Sequence, residues 1–352
     1  MQSRYQLEMT RAGRYAELSS AVRCFKSALL DRQRIERLAE AGTLSETVSL
    51  LNGGHASSAD TSKLASLEAH LIGRVYPLTK RLFSYAPIDA RPLLRLLFAK
   101  YEFECAKEVL KSIVYQVDPQ DAMKRIIPVG RFSAERCKEL IEARDANRVV
   151  DTLQDGSLKR FISPYLTSEK DGLVVVSALD QYYYSRLWTT ASSLHDFIDV
   201  RIARSLIGPL IDYLNILVAL RSQMIGLDAR SVSEMLVPVN YRLGTAFKEL
   251  AETGSLANIV RVLEGTPYAE ALKAINLGTD YENLAEVELA LKRNHLAICQ
   301  NVFAGYPFHV GLALAFLMIK DYELHDLFTI LNAKADNVPS DRIRGFLIMG
   351  NS

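Results

Sequence analysis

Leu210-Ile211-Asp212-Tyr213-Leu214-Asn215-Ile216-Leu217-Val218-Ala219-Leu220-Arg221 is the stretch from which the architecture follows. Asp212 and Asn215 stand three apart, on one face of a helix that is otherwise apolar on almost every side. The arrangement recurs about 110 residues to either side. Before it, Glu102 precedes Cys105, with Lys111 six further on; after it, Glu323 precedes Asp326, with Asn332 six further on. A repeat this long is a small domain rather than a solenoid unit. The expected fold is all-α, with three similar helical domains at residues 1–117, 118–226 and 227–352.

Further markers keep the same order in each copy. An apolar segment ending in glycine comes first: Val48 to Gly53, Val149 to Gly156 and Ile259 to Gly265. Next comes an apolar–acidic pair, at Leu67-Glu68, Leu179-Asp180 and Val287-Glu288, with Leu71, Tyr183 and Leu291 three residues beyond the acid. The second and third copies also open alike, with Ile126-Ile127-Pro128-Val129 against Leu236-Val237-Pro238-Val239.

Composition fits a large helical protein. At 352 residues two or three hydrophobic cores are expected. A net charge of +1 argues against nucleic-acid binding, since phosphate contacts leave a basic excess. Cys24, Cys105, Cys137 and Cys299 form no CxxC pair and read as buried reduced thiols of a cytoplasmic protein without a secretory leader. The most apolar stretches are Ile202 to Leu220, interrupted by Arg204, Pro209 and Asp212, and Val310 to Ile319. Both read as core helices rather than as bilayer spans, which need about 20 apolar residues.

Helical spacing runs through most of the chain. Glu17 to Ala41 reads as one helix carrying Leu18, Val22, Phe25, Leu29 and Leu30. Thr43 to Leu51 reads as a second, with Ser45 as its N-cap, and Gly53 to Thr61 as a flexible loop. Ser133 opens a helix with Cys137, Leu140 and Ile141 on its inner face. Leu173 to Val176, the only β-branched run, reads as helix entry, and prolines 87, 119, 128, 164, 238, 267, 307 and 339 fall at pattern breaks. The aromatic run Gln181 to Trp188 covers most of a helix circumference, so that helix is expected to lie between others.

No catalytic or cofactor pattern emerges. Phosphate-cradling glycine loops, HExxH and GxSxG are all missing, so no catalytic residue, metal ligand or cofactor is expected. Asp196 and Asp199 lack a third partner for magnesium, and His55, His70, His195, His295, His309 and His325 show no ligand spacing. The polar residues inside the repeated helices, Asp212, Asn215, Arg221, Glu323 and Asp326, are the candidate site. A buried carboxylate without a partner costs on the order of several kcal/mol. Such residues therefore tie the helix to neighbouring loops or helix N-termini, or seat a partner protein. Arg221 lies nine residues after Asp212, half a turn out of phase, and cannot join the same cluster from its own helix.

At these residues the chain resembles the family of C subunits from archaeal and bacterial A-type (V-type) ATPases, related to the d subunit of the eukaryotic vacuolar enzymes. Ala21-Val22-Arg23-Cys24-Phe25-Lys26-Ser27-Ala28-Leu29-Leu30 is similar to that family's early helix. Asp212, Asn215 and Arg221 match its recurring helix, and Lys320 to Leu327 and Ile343 to Leu347 resemble its last two. Asp326 stands where the family has asparagine, Phe328 where it has arginine, and Asn332 where the second copy has Arg221. The resemblance implies a funnel about a pseudo-threefold axis and a non-catalytic rotor role. Its partners would be the D- and F-type shaft subunits and the membrane proteolipid ring, reached from the cytoplasmic face without a bilayer span. The alternatives are a free-standing all-α scaffold, or an enzyme whose site is assembled from distant residues.

Overall fold

Apolar residues too numerous for one helix face, punctuated by capped turns, build long helices that bury most of their circumference. The computed structural model describes residues 2–52, 64–166, 172–253, 256–272 and 281–351. They are predominantly helical, and among them no β-strand forms beyond an isolated bridge between Val129 and Phe132. The loop expected at Gly53 to Thr61, with His55, lies outside the described residues.

The chain begins with α1 (Gln2–Lys26), α2 (Arg32–Glu40) and α3 (Leu44–Leu51). A long pair follows, α4 (Leu64–Tyr85) and α5 (Arg91–Val114), then the short α6 (Pro119–Met123), α7 (Ala134–Ala143), α8 (Ala146–Thr152) and α9 (Gly156–Ile162). The second long pair is α10 (Gly172–Ser192) and α11 (Phe197–Met224), followed by α12 (Ala229–Met235), α13 (Ala246–Glu252), α14 (Leu256–Leu263) and α15 (Ala269–Leu272). The third is α16 (Tyr281–Asn301) and α17 (Gly311–Ala335), followed by α18 (Ser340–Gly345).

The long helices close a ring. α4 packs on α5, α5 on α10, α10 on α11, α11 on α16, α16 on α17, and α17 returns to α4. α17 also touches α5 and α11, so the second helices of the pairs meet inside the ring. Short helices decorate these inner ones: α6, α7 and α8 pack on α5, and α12, α13 and α14 on α11. Around α17 that place is taken by α18 together with α2 and α3 from the other end of the chain. α1 lies across both α4 and α17, covering the junction where the ring closes.

Several local expectations need correction. Glu17 to Ala41 is not one helix: α1 stops at Lys26, and Asp31 caps α2 by accepting from the Arg34 amide at 2.8 Å. The break frees the Leu30 N–H, which donates to Glu323 at 2.8 Å. The cap of α3 is Thr43 rather than Ser45, because the Thr43 hydroxyl accepts from the Glu46 amide. Pro209 interrupts the apolar pattern but not the helix, which runs through it as α11. By length and composition α11, which the sequence reading took as a core helix, is the one helix among the described residues long and apolar enough to cross a bilayer. Of that window 61% is buried inside the protein, and Asp199, Asp212 and Asn215 on it have internal partners, as a core helix requires. Other local expectations hold: Ser133 caps α7, Leu173 to Val176 enter α10, and Tyr182, Tyr183 and Tyr184 are buried between helices. Cys105, Cys137 and Cys299 are buried as expected, but Cys24 is exposed, because it lies on the outer face of α1.

The apolar core falls into two clusters. The larger runs from Tyr15 and Leu18 in α1 to Leu347 near the C-terminus, and the smaller joins Ile216 and Leu220 of α11 to Leu250, Ile259 and Leu291. Gly208 marks the tightest approach near their border. A Cβ there would stand 2.3 Å from the Tyr241 ring, so only glycine lets that loop lie flat on α11.

Candidate functional site

Each inner helix uses its acidic marker to hold backbone amides of a loop. Asp212 is wholly buried and accepts from the Tyr241 amide at 3.1 Å, the Arg242 amide at 2.7 Å and the Tyr268 hydroxyl. Burial pushes its carboxyl above the usual range, and those three donors pull it back only in part. Glu102 plays the same part on α5, accepting from the Arg131 amide at 3.0 Å and from its guanidinium. On α17 the acid is Glu323, whose donors are the Leu30 amide and Lys320.

The residue three further on adds a second tie. Asn215 accepts from the Val237 amide at 2.8 Å and donates to the Val237 carbonyl at 3.1 Å. Asp326 accepts from the Ile348 and Met349 amides at 2.8 and 2.7 Å. Cys105 occupies this place on α5, and its thiol meets Cys137 on α7 with 3.8 Å between the sulfurs. Asp212, Asn215, Glu323 and Asp326 are thus enclosed within the protein, whereas Arg221 reaches a cavity.

A second set of polar contacts runs round the ring. Lys107 of α5 pairs with Asp180 of α10 at 2.8 Å, and Arg221 of α11 with Glu288 of α16 at 2.5 Å. Asn332 of α17 donates to Glu68 of α4 at 2.6 Å. Each inner helix therefore grips the acidic marker of the next pair, and the third grips the first. On α5 the grip comes from Lys107, while Lys111 binds Glu108 beside it. Burial disfavours the charge on Glu288, but Lys292 and Arg221 outweigh it and hold the carboxyl below its usual range. Glu68 has only a neutral amide, and burial leaves its pKa raised.

Inside the ring lie two connected spaces. The wider, about 450 Å³, is walled by Glu104, Glu108, Glu288 and Asp321 against Lys100, Arg125, Arg221 and Lys292, with Cys105 at its edge. The narrower, about 40 Å³, is lined from all six long helices, by Val75, Leu97, Tyr184, Leu210, His295 and Tyr322 among others. Lys100, Tyr101 and Asp321 border both. The narrower space lies nearer the turns that join each helix pair, and the wider one farther from them, so polarity increases outward. Lys100 meets Asp321 at 2.5 Å, and burial of Asp321 is outweighed by that ammonium, which holds its pKa down.

α1 reaches the turns of all three helix pairs, through Arg14 to Asp89, Arg11 to Asp196 and Ser19 to the Pro307 carbonyl. Asp199 accepts from Tyr15, from Arg11 at 3.2 Å and from the Val310 amide at 3.1 Å, while Arg11 also pairs with Asp196 at 2.6 Å. This occupies the two aspartates weighed as a magnesium pair. His295 accepts from the Tyr322 hydroxyl at 2.6 Å and donates to the Leu206 carbonyl at 2.7 Å; burial lowers its pKa to about 4. Among the described residues no group of three or more His, Cys, Asp and Glu could hold a metal ion. Sequence reasoning missed Arg11, Tyr15 and the Leu30 amide. Nothing local marks them, because their partners are 184 to 297 residues away.

Comparison with known proteins identifies a family. The family model described as ATP synthase (C/AC39) subunit matches residues 18–346. Relatives named as the C subunit of A-type ATP synthase align over nearly the full chain. The Methanocaldococcus jannaschii protein is 25% identical over 345 residues, covering 95% of this chain and 86% of the relative. The Pyrococcus horikoshii protein is 25% identical over 334 residues (94% and 89%), and the Methanosphaera stadtmanae protein 26% over 343 (95% and 88%). The family anticipated from Asp212, Asn215 and Arg221 and from the terminal motifs is the one that matches, and the chain belongs to the ATP synthase (C/AC39) subunit family.

Proposed function

We propose that this chain is a non-catalytic rotor subunit of an A/V-type ATPase or ATP synthase. It would join the D- and F-type shaft subunits to the membrane proteolipid ring and pass torque between them for ion-transport coupling. We further propose that three repeated helical units, divided near residues 118 and 227, surround a pseudo-threefold axis as a funnel, with α2 and α3 completing the third unit. The supporting observation is the cyclic grip of Lys107 on Asp180, Arg221 on Glu288 and Asn332 on Glu68 around a central hollow. Torque transfer needs an element that does not shear, and buried helix-to-loop ties such as those of Asp212 and Asp326 stiffen each unit. On this reading the charged wide end receives the shaft and the other end faces the ring, on the cytoplasmic side without a bilayer span.

A tagged chain expressed in its native cells should carry the shaft subunits and the proteolipid ring with it through mild detergent. Recovery of neither, with the rest of the complex intact, overturns the reading and favours a free-standing scaffold.

A further inference from the structure

We propose that Cys105 and Cys137 are an oxidisable pair that closes to a disulfide when a peroxide enters the central cavity. The inference stands on the first unit's geometry and does not depend on the rotor reading. Both side chains are buried, one on α5 and one on α7, with 3.8 Å between their sulfurs. Rotation about the Cα–Cβ bonds swings each sulfur by more than the ångström or two needed to reach bonding distance, about 2.05 Å. Cys105 lies at the edge of the wider cavity, which gives a small oxidant its approach.

The chemistry balances with hydrogen peroxide as oxidant. One of the two sulfurs gives up its proton and attacks a peroxide oxygen, the O–O bond breaks, and the leaving hydroxide takes up that proton as water. The resulting sulfenic acid is attacked by the other sulfur, forming the S–S bond and releasing a second water with that thiol's proton. Two thiols and one peroxide thus become one disulfide and two waters.

The position gives the bond a purpose. In the other two copies the residue three past the acidic marker ties its helix to a loop through Asn215 or Asp326. A thiol hydrogen-bonds weakly, so α5 lacks a tie of equal strength in the reduced chain. Oxidation would supply it covalently, to α7. The other cysteines lack such a neighbour: Cys24 is exposed, and Cys299 lies against His295 and Met318.

The test uses the folded full chain carrying Cys24→Ser, which removes the exposed thiol. Native treatment with hydrogen peroxide should lower the thiols titrated in denaturant from three to one. A peptide map should show residues 105 and 137 joined, and hydrogen exchange in α7 should slow. The Cys137→Ala chain should give no such peptide and should carry Cys105 either reduced or as an oxyacid. Oxyacids without the joined peptide in the Cys24→Ser chain overturn the proposal. So does a joined peptide that forms only in urea. Should Cys24→Ser fold poorly, the parent chain is mapped for the same peptide with the same criteria.

Discussion

Replacing Asp212 by alanine tests whether helix-to-loop ties hold each unit rigid. The change removes the acceptor of two backbone amides and of the Tyr268 hydroxyl in one step. A buried donor left without a partner costs about 1–3 kcal/mol. The Tyr241 and Arg242 amides are part-buried, so water partly replaces the carboxylate and each falls at the low end. The Tyr268 hydroxyl is fully enclosed. Release of a carboxylate whose pKa burial has raised offsets part of the total. The net is about 3 kcal/mol, or roughly a hundredfold in a local opening equilibrium. Tyr268 also packs in the smaller core, so the loss should concentrate in α12 to α15 rather than spread round the ring. Native-state hydrogen exchange reads this directly. Protection of the Tyr241 and Arg242 amides should fall about a hundredfold, while α4 and α5 stay within threefold. Unchanged protection at those two amides would refute the reasoning.

Three further outcomes follow from the same contacts. Arg221→Ala should cost less than about 1 kcal/mol by urea titration, because the arginine is half exposed and Lys292 still pairs with Glu288; a loss above 2 would show that the ring depends on that grip. Glu323→Ala strips the Leu30 amide of its acceptor, so proteases should cut between Ser27 and Asp31 several-fold faster, and equal cleavage rates would argue against the tie. The raised pKa of Glu68 means that the folded chain holds its proton more tightly than the unfolded one, whose value is near 4.5. Its contribution to stability therefore declines as pH rises from there through the folded value, and Glu68→Gln should flatten that decline and match or exceed the parent at pH 7. Identical pH slopes would discard the assignment.

The sequence carried the helices and the ties differently. Asp212 and Asn215 could be recognised because polar residues inside an apolar helix must find partners, and residues three apart share a face. The acidic residues Glu68, Asp180 and Glu288 were visible too, but their grip by another helix pair was not, since pairing between helix pairs depends on how the helices circulate. Lys107 shows the limit: Lys111 fits the repeat better by position, yet Lys107 faces Asp180. The Ser27 to Asp31 break was hidden for a related reason. Its apolar residues keep helical spacing, and only the distant Glu323 makes it favourable for the Leu30 amide to leave the helix. Pro209 misled in the opposite sense, because packing around α11 keeps it helical through a residue that locally disfavours helix.

The tie between Leu30 and Glu323 spans 293 residues, and this sets an order on biosynthesis. Ribosomes add about 5–20 residues per second, so α1 to α3 are made roughly 15–60 seconds before the helix that receives them. Throughout that interval Val22, Ile35 and Leu38, all buried in the finished protein, lack their cover from α17. The first two helix pairs can assemble as they emerge, but the beginning of the chain must wait for its end. Such a protein depends on chaperones in proportion to that delay. A truncation before α17 removes little more than a tenth of the sequence, yet it leaves both ends of the chain uncovered at once.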